Sequence, residues 1–385
     1  MLKLHRLATV PLSFETLLKG QPRFMQQYFD VTIICSDKER LEKAGIAEGV
    51  KTCPVELTRQ ITLSKDLKAL WILYRYFRKK KPDIVHTHTP KAGFIGMLAA
   101  CFANVPHRLH TVAGLPLMEA TGLQRKILNF TEKFTYRCAH RIYPNSKGLC
   151  EFIVKNKFCP EHKLKIIGNG SSSGIDTTHF SPSQISEQQK IVLKKQLNIS
   201  KTDIVFCFVG RLVKDKGINE LVAAFSQLST VNCQLSTKLL LVGSSEQESD
   251  LLLPETEKEI QNHPDVISVG WQTDVRPYLA ISDIFVFPSY REGFPNVVMQ
   301  AGAMELPCIV TDINGCNEII EEGVNGLIIP PKSKEQLQEK MQLLIENPDL
   351  RNQLKQNARS TITARYEQKI VWEALLEEYK RLEKE

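Results

Sequence analysis

The stretch Ile204-Val205-Phe206-Cys207-Phe208-Val209-Gly210-Arg211-Leu212-Val213-Lys214-Asp215-Lys216-Gly217 decides how the chain is read. Its first six residues are apolar without alternation, the pattern of a strand buried on both faces. Gly210 ends the run, bases follow at Arg211, Lys214 and Lys216, and a helical pattern begins near Ile218. Strand, short loop and helix make one half of a parallel α/β crossover. In open sheets of that kind ligands bind beyond the carboxyl ends of the strands. On that loop Arg211 as a planar fork and Lys216 as a point charge could converge on a diphosphate. A βα turn carrying bases is also an ordinary solvated feature, so one such loop does not define a site.

A second loop repeats the arrangement: Phe287-Pro288-Ser289-Tyr290-Arg291-Glu292-Gly293-Phe294-Pro295-Asn296-Val297-Val298. A buried strand at 284–288 runs into a glycine turn, and a helix is expected to start with Pro295 near its first position. The free amides of Asn296 and Val297 would then favour an anionic phosphate. Glu292, just before that anion site, is suited to accepting hydrogen bonds from sugar hydroxyls. The competing view is a capped helix with a solvated glutamate.

Working outward, short β-branched runs alternate with helical patterns along the whole chain. The strand candidates are 31–35, 83–86, 107–111 and 141–143 in the first half, and 204–209, 238–242, 266–269, 284–288, 308–311 and 326–329 in the second. A polar break at 181–200 separates the two series. The pattern predicts an α/β protein of two similar-sized doubly wound, Rossmann-like domains, 1–180 and 181–364, with a cleft between them. The amphipathic segment 365–385, with Val371, Trp372, Leu375, Leu376, Tyr379 and Leu382 on one face, is expected to pack back on the first domain.

Composition narrows the classes. The 385 residues are 42% hydrophobic, enough for packed cores, and hold no run of about 18 apolar residues that could span a bilayer. Met1 to Phe14 lacks a long apolar core and is read as no signal peptide. The ten cysteines form no CxxC pair, which argues against zinc and disulfides and for a reducing cytosol. Net charge is +7, yet residues 1–180 carry 28 Lys and Arg against 14 Asp and Glu, while the remainder carries 22 against 29. The first half is therefore expected to meet an anionic partner (nucleic acid, an anionic membrane face or a phosphorylated acceptor), unless it is simply a solvated basic surface. Arg78-Lys79-Lys80-Lys81 suits a helix C-terminal dipole and also a membrane surface. No nucleic-acid-binding motif accompanies the charge.

The run Gly210–Gly217 together with 287–307 and 311–326 resembles the retaining glycosyltransferases of family 4, which have the GT-B fold. Within that family the chain is similar to bacterial transferases building capsular, O-antigen and other lipid-linked polysaccharides. The resemblance extends into the first half through Asp83-Ile84-Val85-His86-Thr87-His88-Thr89-Pro90-Lys91-Ala92-Gly93, Ala113-Gly114-Leu115-Pro116-Leu117, Pro144-Asn145-Ser146-Lys147 and Gly168-Asn169-Gly170-Ser171-Ser172-Ser173-Gly174-Ile175-Asp176. It implies a nucleotide-diphosphate sugar as donor, a UDP-sugar by analogy, held without metal or cofactor. Arg211 and Lys216, opened by Gly210, would grip the diphosphate. Glu292, the first acid of an E-x7-E motif, would contact the transferred sugar, with Gly293, Phe294, Asn296 and Val297 beside it. The second acid of the motif falls on Gln300, which lacks charge-assisted hydrogen bonds to the ribose. Glu305, where the family often has a small residue, is a further departure.

For the acceptor, a glycan and in particular a polyprenyl-diphosphate-linked saccharide, the expected residues are His88 and Lys91 beside a helix starting with Pro90. A histidine satisfied by packing is the alternative for His88. His110 is expected near the reacting sugar and Gly20 near the donor phosphates. The mechanism implied is front-face attack, the leaving phosphate taking the acceptor's proton while Arg211, Lys216 and a helix N-terminus stabilise it. Other outcomes on the same fold are sugar-nucleotide epimerisation and nucleotide binding by a decayed site. A dinucleotide oxidoreductase is disfavoured, because neither half has Gly-x-Gly-x-x-Gly after a strand. The expected location is the cytoplasm, peripheral on the inner face of the cytoplasmic membrane.

Overall fold

The computed structural model describes all residues except 59–61, 116, 118, 119, 232–235, 246–249 and 385. Two compact units emerge: Met1–Gly174 with Lys369–Glu385, here unit 1, and Ile175–Gln368, here unit 2.

Unit 1 holds a parallel sheet of β1 (Lys3–Leu7), β2 (Asp30–Cys35), β3 (Lys51–Pro54), β4 (Ile84–Thr87), β5 (His107–Val112) and β6 (Arg141–Pro144). Their order is β3-β2-β1-β4-β5-β6. The sequence pattern finds four of these and misses β1 and β3. β1 is the central strand, yet it reads Lys-Leu-His-Arg-Leu, and His5 and Arg6 are both buried. β3 is a four-residue edge strand ending in Pro54, a polar design that blunts a sheet edge. The register sets Leu7 opposite Thr87, and Thr87 opposite His110, so the carboxyl ends of β1, β4 and β5 share one edge. The reversal of strand order lies between β1 and β4, the topological switch point.

The last helix, Gln368–Leu382, closes unit 1. Val371, Leu375, Leu376, Tyr379 and Leu382 are buried, and Tyr379 meets Phe29 edge-on at 5.7 Å. Each such large side chain removed from water contributes about 1.5–3 kcal/mol.

Unit 2 repeats the topology with β7 (Ile204–Val209), β8 (Thr237–Val242), β9 (Val266–Ser268), β10 (Ile284–Phe287), β11 (Cys308–Thr311) and β12 (Gly326–Ile329), in the order β12-β11-β10-β7-β8-β9. All six were legible as apolar runs, and every residue of β7, β10 and β11 is buried. The segment read as a polar break contains the helix Glu187–Gln196, started by a capping box of Ser186 and Gln189. None of its residues is fully buried, so it carries no strong apolar stripe to betray it. Here the switch point lies between β7 and β10.

The nine described cysteines are free thiols. Cys35, Cys207 and Cys308 are packed in the cores, and burial pushes the Cys35 and Cys207 thiols up to about 12.

Candidate functional site

The loops after β7 and β10 flank the switch point of unit 2, and a backbone hydrogen bond and two ion pairs join them. The Tyr290 amide donates to Asp215 O at 2.8 Å, Arg291 pairs with Asp215 at 2.7 Å, and Lys216 pairs with Glu292. Lys216 and Glu292 side chains are each 16% exposed, sheltered yet reachable. The Lys216 ammonium also lies 5.8 Å from the centre of the Phe287 ring, a cation–π contact that orients it. Glycines allow this closeness. Gly217 has φ +71°, and a Cβ there would fall 2.1 Å from Pro288 O. A Cβ on Gly243 would fall 1.7 Å from Gly210 O, so Gly210 is held against the end of β8.

Glu292 is fixed from behind by residues the sequence pattern did not single out. Ser289, fully buried, donates to Glu292 Oε1 at 3.0 Å. Asn314 Nδ2 donates to the carbonyls of Glu292 at 3.0 Å and Gly293 at 2.7 Å. Asn314 stands in the 311–326 segment, so its motif was visible although its partner was not.

The next helix is Asn296–Ala303. Pro295 occupies the N-cap rather than the first helical position, with φ −75° and ψ 110°, and no side chain caps the helix. Proline has no side-chain oxygen to offer, so the first-turn amides keep their donor capacity. Asn296, Val297 and Gln300 are half-buried on one face of this helix, while Val298, Met299, Ala301 and Gly302 are buried on the other. Gln300 thus stands one turn from the anion-competent amides. Phe294 is buried, its ring 5.3 Å from that of Tyr366, so only its backbone could meet a ligand. Arg211 sits exposed on the same β7 loop as Lys216. Glu305 has φ +65°, and Leu306 N–H to Ala301 O with Glu305 N–H to Gly302 O closes a Schellman motif. A small residue there means glycine's freedom in the left-handed region.

In unit 1 the expected residues separate. Lys91 pairs with Asp66 at 2.5 Å, whereas His88 is buried and meets Arg6, so the two belong to different networks and form no open clamp. His110 is buried as well, its Nδ1 2.7 Å from Thr87 Oγ1. A Cβ on Gly93 would fall 2.5 Å from the His110 ring, so the glycine exists to let that ring pack beneath the helix Pro90–Phe102. Desolvation pushes the His110 pKa down to about 4. Far from reaching a reacting sugar, His110 is a neutral core residue. Gly20 also has another use: its amide donates to Glu48 Oε1 at 2.8 Å, Glu48 Oε2 accepts from Arg23 N–H at 3.1 Å, and the Trp372 ring packs on its Cα. An internal carboxylate already fills that helix start. Among the described residues, no group of three or more His, Cys, Asp or Glu is placed to hold a metal ion, and no helix is long and apolar enough to cross a membrane.

Two doubly wound units of this strand order in one chain are the GT-B architecture. The fold superposes on Anabaena HepE solved with UDP at a TM-score of 0.81, with 18% identity over 99% of this chain and 100% of that one. It superposes on the sucrose-phosphate synthase of Thermosynechococcus elongatus at 0.78, with 19% identity over 99% of each. Residues 189–361 match the family model described as glycosyl transferases group 1, and residues 23–170 match the glycosyl transferase 4-like domain. Among curated relatives, the capsular polysaccharide biosynthesis glycosyltransferase CapM of Staphylococcus aureus is 34% identical over 100% of this chain and 98% of its own length. The Escherichia coli UDP-Gal:alpha-D-GlcNAc-diphosphoundecaprenol alpha-1,3-galactosyltransferase is 31% identical over 79% of this chain and 76% of its own. The chain belongs to this glycosyltransferase family.

Proposed function

We propose that the chain transfers a sugar from a nucleotide diphosphate, in particular a UDP-sugar, to a polyprenyl-diphosphate-linked glycan in cell-surface polysaccharide synthesis. The reaction retains anomeric configuration and needs no metal. The observation that carries this is the Lys216–Glu292 pair, set between two loops at a switch point beside an uncapped helix start. A diphosphate entering there draws the ammonium toward its oxygens, and Arg211 approaches from the same loop. Glu292, released from its partner but still held by Ser289, is left to accept from sugar hydroxyls. The leaving phosphate, its charge stabilised by these cations and by the amides of Asn296 and Val297, takes the acceptor's proton.

Relatives support the donor and acceptor: one is named for UDP-Gal and a diphosphoundecaprenol saccharide, another for a diacetylbacillosaminyl-diphospho-undecaprenol. Contact with an anionic membrane at the cytoplasmic face has its own support in unit 1. The helix Leu63–Lys80 exposes Leu63, Leu67 and Trp71, and the helix Gly122–Cys138 exposes Leu123, Ile127 and Phe130. The helix Pro90–Phe102 packs against both. Crossover helices of a parallel sheet begin at the carboxyl edge, so these apolar side chains cluster toward the edge that bears His88. Lys65, Lys68, Arg125 and Lys126 lie among them in sequence, a composition suited to anionic headgroups. The Arg78–Lys80 bases end the first of these helices and so lie at the opposite, amino edge, away from this face.

The test is a panel of nucleotide sugars read for thermal stabilisation and slow donor hydrolysis, with and without EDTA. UDP-sugars should stabilise the protein and be hydrolysed in EDTA. Stabilisation without turnover would leave only a nucleotide-binding protein, and EDTA-sensitive turnover would refute metal independence.

A further inference from the structure

The carboxyl edge of unit 1 carries a buried polar network that the transfer just described leaves unused. Arg6, fully buried in β1, donates from Nε to His88 Nε2 at 3.2 Å, and its Nη2 lies 3.0 Å from the same nitrogen. Nη2 also donates to Gln21 Oε1. A guanidinium offers donors only, so the imidazole nitrogen it meets twice must present its lone pair. The one proton of a neutral imidazole then resides on Nδ1. Burial keeps the ring neutral, lowering its pKa well below the usual value, with His86, Arg6 and His110 adding to the effect.

His88 Nδ1 is itself buried and finds no partner among the described residues. His88 lines a cavity of about 20 Å³ together with Thr111, Tyr143, Asn145, Ser171 and Ser172. That is room for roughly one oxygen atom the size of water. Asn145 supplies a complementary group. Its Nδ2 donates to Ala113 O at 3.3 Å and reaches Ser172 Oγ at 3.5 Å, which assigns the amide orientation. Its Oδ1 is buried and unpartnered.

We propose that Arg6 is a positioning residue that locks His88 in the Nδ1–H tautomer, and that His88 and Asn145 together form a site for a single O–H group. The occupant accepts from His88 Nδ1 and donates to Asn145 Oδ1. A bare phosphate oxygen satisfies only the first demand, whereas water and a saccharide hydroxyl satisfy both. The assignment stands independently of the donor chemistry in unit 2.

The tautomer is read directly by long-range proton–nitrogen NMR on the full chain labelled with ¹⁵N-histidine, His88 being assigned from the His88→Gln spectrum. The expected result is a protonated Nδ1, a bare Nε2, and no titration between about pH 5.5 and 8. An Nε2-protonated or titrating His88 in the wild type overturns the lock, whatever the variants do. Arg6→Met should yield a tautomer mixture, and Arg6→Lys, which keeps one charged donor, should restore the Nδ1–H form. Failure of Arg6→Met to change the tautomer also overturns it. For the oxygen site, crystals are compared in buffer and after a concentrated galactose soak. An oxygen about 3 Å from both atoms supports the site, as water in the first case or as a sugar hydroxyl in the second. No oxygen there in either crystal, or an inorganic anion, refutes it.

Discussion

The two units share a strand order and a switch point but furnish that point in opposite ways. In unit 2 the charged groups are sheltered at the surface: Lys216 and Glu292 are each 16% exposed, and Arg211 is exposed. In unit 1 the corresponding edge is buried. Arg6, His86, His88 and His110 lie beneath it, and burial holds all three imidazoles neutral. Sheltered charges can exchange an internal partner for an anionic ligand at small cost. Buried ones cannot, because removing one partner strands the other in a medium that does not solvate it. One edge is thus open to an exchange of partners, whereas the other is fixed by burial.

The largest effect should come from testing the trading edge. Lys216→Ala is expected to lower kcat/KM for sugar transfer by about 100-fold or more, with the melting temperature little changed. Arg211→Ala should behave alike. Full activity in either variant would show that the sheltered charges are structural and would erase the contrast between the units. An opposite signature is expected at Arg6, where truncation strands a buried neighbour and the melting temperature falls.

Acid should separate the units next. The His110 pKa is about 4 in the fold against 6.5 in the ordinary state. Its contribution is therefore complete above pH 6.5 and lost as pH falls toward 4, where the unfolded chain binds a proton that the native one refuses. The difference amounts to about 3 kcal/mol for this one ring. His5, also pushed down to about 4 by burial, adds in the same direction. Hydrogen exchange read by mass spectrometry should show unit 1 peptides losing protection over this window. His110→Asn, which can still bond Thr87, should flatten the pH dependence. Equal acid lability of both units, or an unchanged slope in the variant, would contradict the assignment.

What the sequence revealed follows the same divide. β7, β10 and β11 are uniformly apolar because nothing but packing is asked of them, and they were read directly. β1 was missed because its buried Arg6 bonds His88, 82 positions away, and no local pattern announces such a partner. The same distance problem hid Asn314, 22 positions from Glu292, and turned Lys91 toward Asp66, 25 positions away. Ser289, three positions from Glu292, was passed over for another reason: only the fold shows that it is buried with its hydroxyl on that carboxylate. His110 drew attention as a histidine after a strand, but only the fold shows Gly93 making room for it. Lys216 and Glu292, 76 positions apart, were singled out because each sits in a loop motif with its own local signature, but their pairing was not foreseen.

A smaller effect is expected at Gln300. Restoring a carboxylate by Gln300→Glu should lower the donor KM by about tenfold, in line with 1–2 kcal/mol for charge-assisted over neutral hydrogen bonds to ribose hydroxyls. An unchanged or raised KM would mean that this half-buried face of the helix does not meet the nucleotide.

The smallest effect separates scaffold from site within unit 2. Unit 1 ends the helix Lys38–Glu48 with Gly49 at φ +68°, whereas unit 2 ends Asn296–Ala303 with Glu305 at φ +65°. A side chain in that region costs about 1 kcal/mol, which glycine avoids. Glu305→Gly should therefore raise stability by about that amount in denaturant unfolding, since the Schellman hydrogen bonds are already in place. It should leave kcat/KM unchanged, because the substitution acts at the far end of the helix from Asn296 and Val297. If stability rises and activity falls, the strained end of the helix is tuning the position of its amides, and the fixed and trading edges are less separable than the two units suggest.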